Sequence, residues 1–292
     1  SKRMKKQDGG WFIKEYIAGE IGERTLYRVS ESDGGGKRKA ESEIRIREKN
    51  EKKTEREAAR LINKNFSKGD ILLGLDYDNK SYRKIFGKAE SAEDRIRAAE
   101  KEAEKLLRRV RRAAKKDGIE VRAMLFIGDM DMETKQPTRI HHHIIVNREA
   151  AKLFEKKWRY CKNADFEPLD GEDKIGLAKY LIGQRTHIKN AKAYTRTRNL
   201  KCAEAKVIRA EFTDTLMPPK GASVIFRAEY SVGINQYIRF RTDGGDKHKQ
   251  RGTRTGSGDT VGRAFGGGNA GIEASSPHTK RRKKNKGGSG KV

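Results

Sequence analysis

Arg139-Ile140-His141-His142-His143-Ile144-Ile145-Val146-Asn147 gathers three of the chain's six histidines into one apolar run. Its β-branched residues and length predict a strand over 139–147. Alternate side chains of a strand share a face. Ile140, His142, Ile144 and Val146 therefore form one set, apolar except for His142, and this is the expected core face. His141, His143 and Ile145 form the other. It presents two imidazoles about 7 Å apart along the strand, close enough to share one divalent cation. His142 is expected to pack or hydrogen-bond near the core.

A cation needs further ligands. Asp129, Asp131 and Glu133 lie just upstream, beyond the end of a strand predicted over 120–127. Each taken singly reads as loop decoration, but one of the three is the expected ligand, and Asp129 is nearest the strand end. A mixed imidazole and carboxylate set with open positions suits Mg²⁺ or Mn²⁺ bound to a phosphate oxygen. A zinc site built on Cys161 lacks any supporting spacing.

Downstream, Asp173-Lys174-Ile175-Gly176-Leu177-Ala178-Lys179-Tyr180-Leu181-Ile182-Gly183 predicts a short helix anchored by its aliphatic residues. Tyr180 stands among them, beside Lys179 and one turn from Gln184 and Arg185. By itself it reads as an ordinary amphipathic tyrosine. A phenol, with a usual pKa near 10, becomes a workable nucleophile when a metal polarises its target and cations favour phenolate. The upstream histidine pair makes that reading worth pursuing.

Around these two elements the pattern alternates between helices and strands. Residues 11–17 and 25–29 predict a hairpin turning at Ala18-Gly19-Glu20. Long helices are expected over 44–66 and 92–116, the second capped by Ser91 with Asp94 three residues on. A central strand is expected over 71–77, and helices over 149–158 and 173–183. Further strands are expected over 207–212, 223–230 and 236–241. This order predicts an α+β fold with helices on an antiparallel sheet. The first ten residues read as flexible. From 243 to 292 Gly, Ser, Thr and basic residues dominate, which predicts a disordered basic C-terminal tail acting as an electrostatic arm or a solubiliser.

Lys and Arg exceed Asp and Glu by 68 to 41, a formal net charge of +27. That much self-repulsion points to a polyanionic partner, nucleic acid first. No apolar run reaches a membrane span, and the leading polar residues do not read as a signal peptide. The two cysteines, Cys161 and Cys202, read as free thiols of a reducing compartment. A soluble cytoplasmic protein with no membrane partner is expected.

The histidine strand and the tyrosine helix together resemble the HUH endonucleases. The resemblance extends to Glu57-Ala58-Ala59-Arg60-Leu61-Ile62-Asn63-Lys64-Asn65-Phe66, to Gly69-Asp70-Ile71-Leu72-Leu73-Gly74-Leu75-Asp76-Tyr77 and to Tyr194-Thr195-Arg196-Thr197-Arg198-Asn199-Leu200. These stretches follow the order seen in phage- and plasmid-type rolling-circle replication-associated proteins and cover roughly residues 11 to 215. The family implies a five-stranded antiparallel sheet with flanking helices, related to the RNA-recognition-motif architecture, in an endonuclease domain spanning 11–242. It implies that His141 and His143 hold Mg²⁺ or Mn²⁺. Tyr180 would attack the scissile phosphate of single-stranded DNA, at an origin hairpin or nick site, leaving a 5′-phosphotyrosine and a free 3′-hydroxyl. Lys179 and Arg185 would stabilise charge near the phosphate, and Arg139, Arg185, Arg196 and Arg198 would contact DNA. Host helicase and polymerase are implied partners, since no G-x-x-x-x-G-K-[ST] loop occurs in the chain.

Two positions depart from the family pattern: His142 replaces a hydrophobic residue, and Gly183 stands where many relatives carry Lys. Tyr160 and Tyr194 lie outside the helix context expected of the nucleophile. Two other readings stay open: a non-catalytic single-stranded DNA- or RNA-binding protein, and an HUH relaxase or transposase.

Overall fold

The structure is a computed structural model that describes residues 10–29, 43–161, 164–188, 191–213, 215–229 and 236–242. The expected disordered tail 243–292 lies outside the described residues, as does the expected flexible N-terminus except Gly10, which already belongs to a strand. Among the described residues the chain is α+β, with five helices and ten strands.

The strands form two antiparallel sheets of five, where one was expected. The central sheet has the order β6-β3-β5-β4-β7. It comprises β3 (Ile71–Leu75), β4 (Ala123–Met130), β5 (Pro137–Val146), β6 (Ala164–Pro168) and the short β7 (Thr195–Arg196). Two helices, α2 (Asn79–Phe86) and α3 (Ala92–Lys116), follow β3, and α4 (Arg148–Lys157) follows β5. The run from β3 to β6 is thus β-α-α-β-β-α-β, with each sequence-adjacent pair of strands separated or hairpinned as a split βαβ unit requires.

The second sheet has the order β8-β1-β2-β10-β9. Its hairpin of β1 (Gly10–Ala18) and β2 (Ile21–Val29) pairs outward with β8 (Ala205–Ala210) and β10 (Gln236–Thr242), and β9 (Ala222–Glu229) closes the far edge. The hairpin turns at Gly19, whose φ of 64° suits glycine. A Cβ there would also collide with the Asn63 carbonyl of α1 (Glu43–Asn65), so the turn and the helix contact need the same residue.

Each face of the central sheet carries its own core. On one face Ile140, Ile144 and Val146 of β5 join the α3 stripe of Ile96, Ala99, Ala103, Leu106 and Val110, with Phe154 of α4. The α3 stripe recurs at helical spacing. The helix starts on a capping box in which Ser91 and Asp94 satisfy each other's backbone amides. On the other face Met124, Phe126 and Ile145 pack under Ala58, Leu61 and Ile62 of α1 and under Ala178 and Leu181 of α5 (Ile175–Gly183). The period-two alternation of β5 thus separates Ile144 from Ile145 into different cores. No helix among the described residues is long and apolar enough to cross a membrane.

Candidate active site

His141 and His143 leave β5 on the α1/α5 face, and their rings meet edge to face at 4.9 Å between centroids. The strand pleat alone would leave them further apart. Their approach depends on Gly128, the register partner of His141 on β4. The His141 ring lies over that glycine, where any Cβ would collide with its Nε2. His141 Nδ1 lies 2.9 Å from the Arg139 carbonyl. Donation to that oxygen selects the tautomer whose Nε2 lone pair is free, the usual support of a metal-binding imidazole.

His143 is more deeply set. Burial, followed by the proximity of His141, pushes its pKa down to about 4. The ring is therefore neutral at pH 7 and available as a donor. Its Nε2 is buried without a hydrogen-bond partner, and so is Oε1 of Gln184. The Gln184 amide is near enough to His143 to favour its protonated form, yet neither buried atom has a partner that meets hydrogen-bond geometry. Buried polar atoms in native proteins seldom go unpaired, and a cation between them would satisfy both.

Gln184 follows α5 directly, one turn beyond Tyr180, and is held from below. Its carbonyl accepts from the backbone amides of Asp129 and Met130, both at 2.9 Å, where the β4–β5 register shifts. His141, His143 and Gln184 supply two nitrogens and one oxygen. A mixed nitrogen and oxygen set of this kind suits a divalent transition ion such as Mn²⁺ better than oxygen-preferring Mg²⁺, with positions left for water or phosphate. Among the described residues no three His, Cys, Asp or Glu side chains gather as a metal-ligand group.

The carboxylates expected to supply a ligand do not gather with the two histidines. Asp129 is buried, and its Oδ1 accepts the Thr186 amide at 2.7 Å. It shapes the chain leaving α5 and is not brought into a three-ligand cluster with the histidines. Asp131 folds its own loop, accepting from the amides of Glu133 and Thr134, and Glu133 is exposed.

Tyr180 is 43% exposed, and its ring centroid lies 6.0 Å from that of His143. Beyond it, Gly183 is pressed against Met132, where a Cβ would collide with the thioether sulfur. The loop between β4 and β5 thus occupies the space that a longer side chain at 183 would need. Lys179 is exposed, within electrostatic reach of Glu55 on α1.

His142 points the other way, 1% exposed. Its Nε2 lies 2.7 Å from the Tyr77 hydroxyl, and its ring stands edge-on to Trp158. Burial pushes its pKa down to about 3, with the neighbouring imidazoles adding to the shift. Tyr160 is engaged in the same core: it stacks on Tyr77 and donates its hydroxyl to Glu102. Burial and that carboxylate push its phenol up to about 12.

The four arginines expected on DNA differ in their surroundings. Arg185 pairs with Glu100 of α3 at 2.8 Å, its side chain 8% exposed, and also donates to the Lys192 carbonyl. It is a clamp inside the fold. Arg139 bonds Asn79 at 2.6 Å and the Tyr77 carbonyl at 3.1 Å, and covers the Tyr82 ring. Arg196 is exposed with Nη1 3.4 Å from the Cys202 sulfur, and Arg198 is exposed.

Gln184 and Gly128, both beside the histidines, receive no role from the sequence alone. Gln184 carried a signal, since it lies one turn past the tyrosine. Gly128 carried a weaker one, an isolated glycine ending an apolar strand. Comparison of the chain with protein families, curated proteins and solved structures finds no match.

Proposed function

We propose that the chain is an HUH-type endonuclease that initiates rolling-circle replication by nicking single-stranded DNA and joining itself to the cut end through Tyr180. The observation that carries this reading is the imidazole pair on β5 with the Tyr180 ring against its inner member. The unsatisfied His143 Nε2 and Gln184 Oε1 support a cation there. The strand order β6-β3-β5-β4 within the central sheet agrees with the RNA-recognition-motif-like architecture of that class.

His141, His143 and Gln184 would hold Mg²⁺ or Mn²⁺. When bound, the ion would withdraw electron density from a non-bridging oxygen of the scissile phosphate. Tyr180 Oη attacks the phosphorus and releases its proton to the solvent its exposed position meets. The bond from phosphorus to the 3′ oxygen breaks, and that oxygen takes up a proton. The products are a 5′-phosphotyrosine and a free 3′-hydroxyl, and the number of phosphoester bonds is unchanged. The reverse reaction therefore rejoins the strand. Lys179, beside the nucleophile, adds positive charge near the phosphate, a role that Arg185, tied to Glu100, does not share.

The test is a denaturing gel of the chain incubated with single-stranded oligonucleotides and Mn²⁺. A slower-migrating adduct that survives denaturant is expected. Salt-dependent binding with no adduct at any oligonucleotide sequence or metal tried would leave the non-catalytic nucleic-acid-binding reading in its place.

A further inference from the structure

A cleft of about 340 Å³ opens between the first half of α1 and the chain leaving α5. It lies on the α1/α5 face of the central sheet, which also carries the histidines. Ile182, two residues past Tyr180, lines it. So does Tyr194, whose ring packs on Phe126 at 5.4 Å between centroids, and Phe126 is the register partner of His143. The wall is apolar, formed by Ile182, Ile188 and Tyr194, while Arg47 and Lys192 stand exposed at the rim.

The charge of the lining is settled by one ion pair. Arg185 reaches the cleft but is neutralised by Glu100. That leaves Arg47 and Lys192 against the single carboxylate of Glu51. A half-apolar, half-cationic cleft of this volume lies at the small end of ligand sites. It is too small for a duplex and matches one nucleotide. An aromatic and aliphatic wall accepts a base face, and basic side chains at the mouth accept a phosphate.

We propose that this cleft is a subsite for a single unpaired nucleotide next to the scissile phosphate, with its base against Ile182, Ile188 and Tyr194 and its phosphate toward Arg47 and Lys192. The inference rests on the nicking assignment only for the words "scissile phosphate". Occupation of the cleft by single-stranded DNA is a separate statement, tested without any chemistry. In functional terms the subsite would fix the strand on one side of Tyr180, so that a flexible polymer presents one phosphodiester at a time.

The experiment uses the full chain in EDTA with a single-stranded oligothymidylate carrying 4-thiothymine, irradiated and mapped by mass spectrometry. Crosslinks to peptides containing Ile188 or Tyr194 are expected. Two variants accompany it. Asn50→Trp, at an exposed position of α1 lining the cleft, fills the space without entering the core. It should abolish those crosslinks and weaken binding about tenfold, the scale of one lost base-stacking contact. Arg47→Ala with Lys192→Ala removes the one phosphate contact of the subsite and should lower the slope of log affinity against log salt by about 0.7 on single strands. Crosslinks confined to other surfaces, or an Asn50→Trp chain that crosslinks and binds like the parent, would overturn the proposal. Because no metal is present, absence of a covalent adduct in the gel assay would remove the nicking assignment and leave this result standing. Loss of the crosslinks with adduct formation intact would remove the cleft alone.

Discussion

The rings of His143 and Tyr180 lie 6.0 Å apart between centroids, although one belongs to a central strand and the other to a helix reached only after α4 and β6. The contact exists because α5 packs Ala178 and Leu181 onto Met124, Phe126 and Ile145, which leaves Tyr180 facing outward along the same sheet surface that carries the histidines. The core therefore fixes the distance between the Tyr180 ring and the histidine pair. Tyr180 contributes little to that core, being 43% exposed.

Tyr180→Phe should accordingly fold and bind single-stranded DNA like the parent while forming no covalent adduct. Removing the hydroxyl of an exposed ring leaves no buried group unpaired, so thermal stability should be unchanged. A denaturing gel and an anisotropy titration read the two effects separately. Adduct at the parent level would transfer the nucleophile to another residue.

The choice between Gln184 and Asp129 as third ligand is open to a direct measurement. Gln184→Ala should weaken Mn²⁺ binding by tenfold or more in isothermal titration, on the scale of losses at supporting groups of metal sites. Asp129→Asn keeps an acceptor for the Thr186 amide and should leave the affinity nearly unaltered. The opposite ranking would restore the carboxylate and make the unsatisfied Gln184 oxygen a feature of packing alone.

Much of this arrangement is readable from sequence because it is local. The alternation in 139–147 separates His142 from its neighbours, and the α3 bounds follow from the Ser91 cap and a regular apolar stripe. The second sheet is not readable in that way. Its hairpin pairs with β8 and β10, more than 150 residues away along the chain, and strand patterning says that a strand exists without naming its partner. The segment α2, eight residues long, carries too few apolar positions to show a period, and β6 ends at Pro168, which argues against a strand until its place at the sheet edge is known. Gln184 is not marked as a ligand for a chemical reason: a neutral amide has no charge to single it out, whereas acidic Asp129 draws attention and accepts a backbone amide instead.

Gly128→Ala tests the seat of His141. A methyl group there would collide with the His141 ring, so the ring must swing off the strand and leave its partner on β5. Far-ultraviolet circular dichroism should be unchanged, since alanine is tolerated in a strand, while Mn²⁺ affinity and adduct yield should fall together. Unaltered metal binding would show that the ring has room to move without loss of the site.

Acid should destabilise the metal-free protein through His142 and His143. In the unfolded chain each imidazole titrates near 6.5. In the native protein their values fall to about 3 and about 4. Between those limits the unfolded state binds more protons, so stability rises with pH and is lost as pH falls from about 7 toward 4. For the fully buried His142 the loss between pH 7.5 and pH 5 is roughly 2 kcal/mol. His142→Gln, which retains a partner for the Tyr77 hydroxyl, should reduce the acid sensitivity by about that amount in urea titrations with EDTA present. An identical pH slope in parent and variant would mean that His142 is protonated in the native state.

Arg185 separates a DNA contact from a structural one most sharply. Its guanidinium joins Glu100 of α3 to the Lys192 carbonyl in the chain beyond α5. Removing one member of a largely buried pair strands the other charge, so Arg185→Ala should cost about 1–3 kcal/mol of stability. Its salt-dependence slope for single-stranded DNA should match the parent, since a guanidinium already neutralised within the fold releases no counterion from DNA. Arg198→Ala, at an exposed position, should do the reverse and lower the slope with no change in stability. Should Arg185→Ala instead flatten the salt slope at full stability, the Glu100 pair would have to open on binding, and Arg185 would return to the DNA-contacting set.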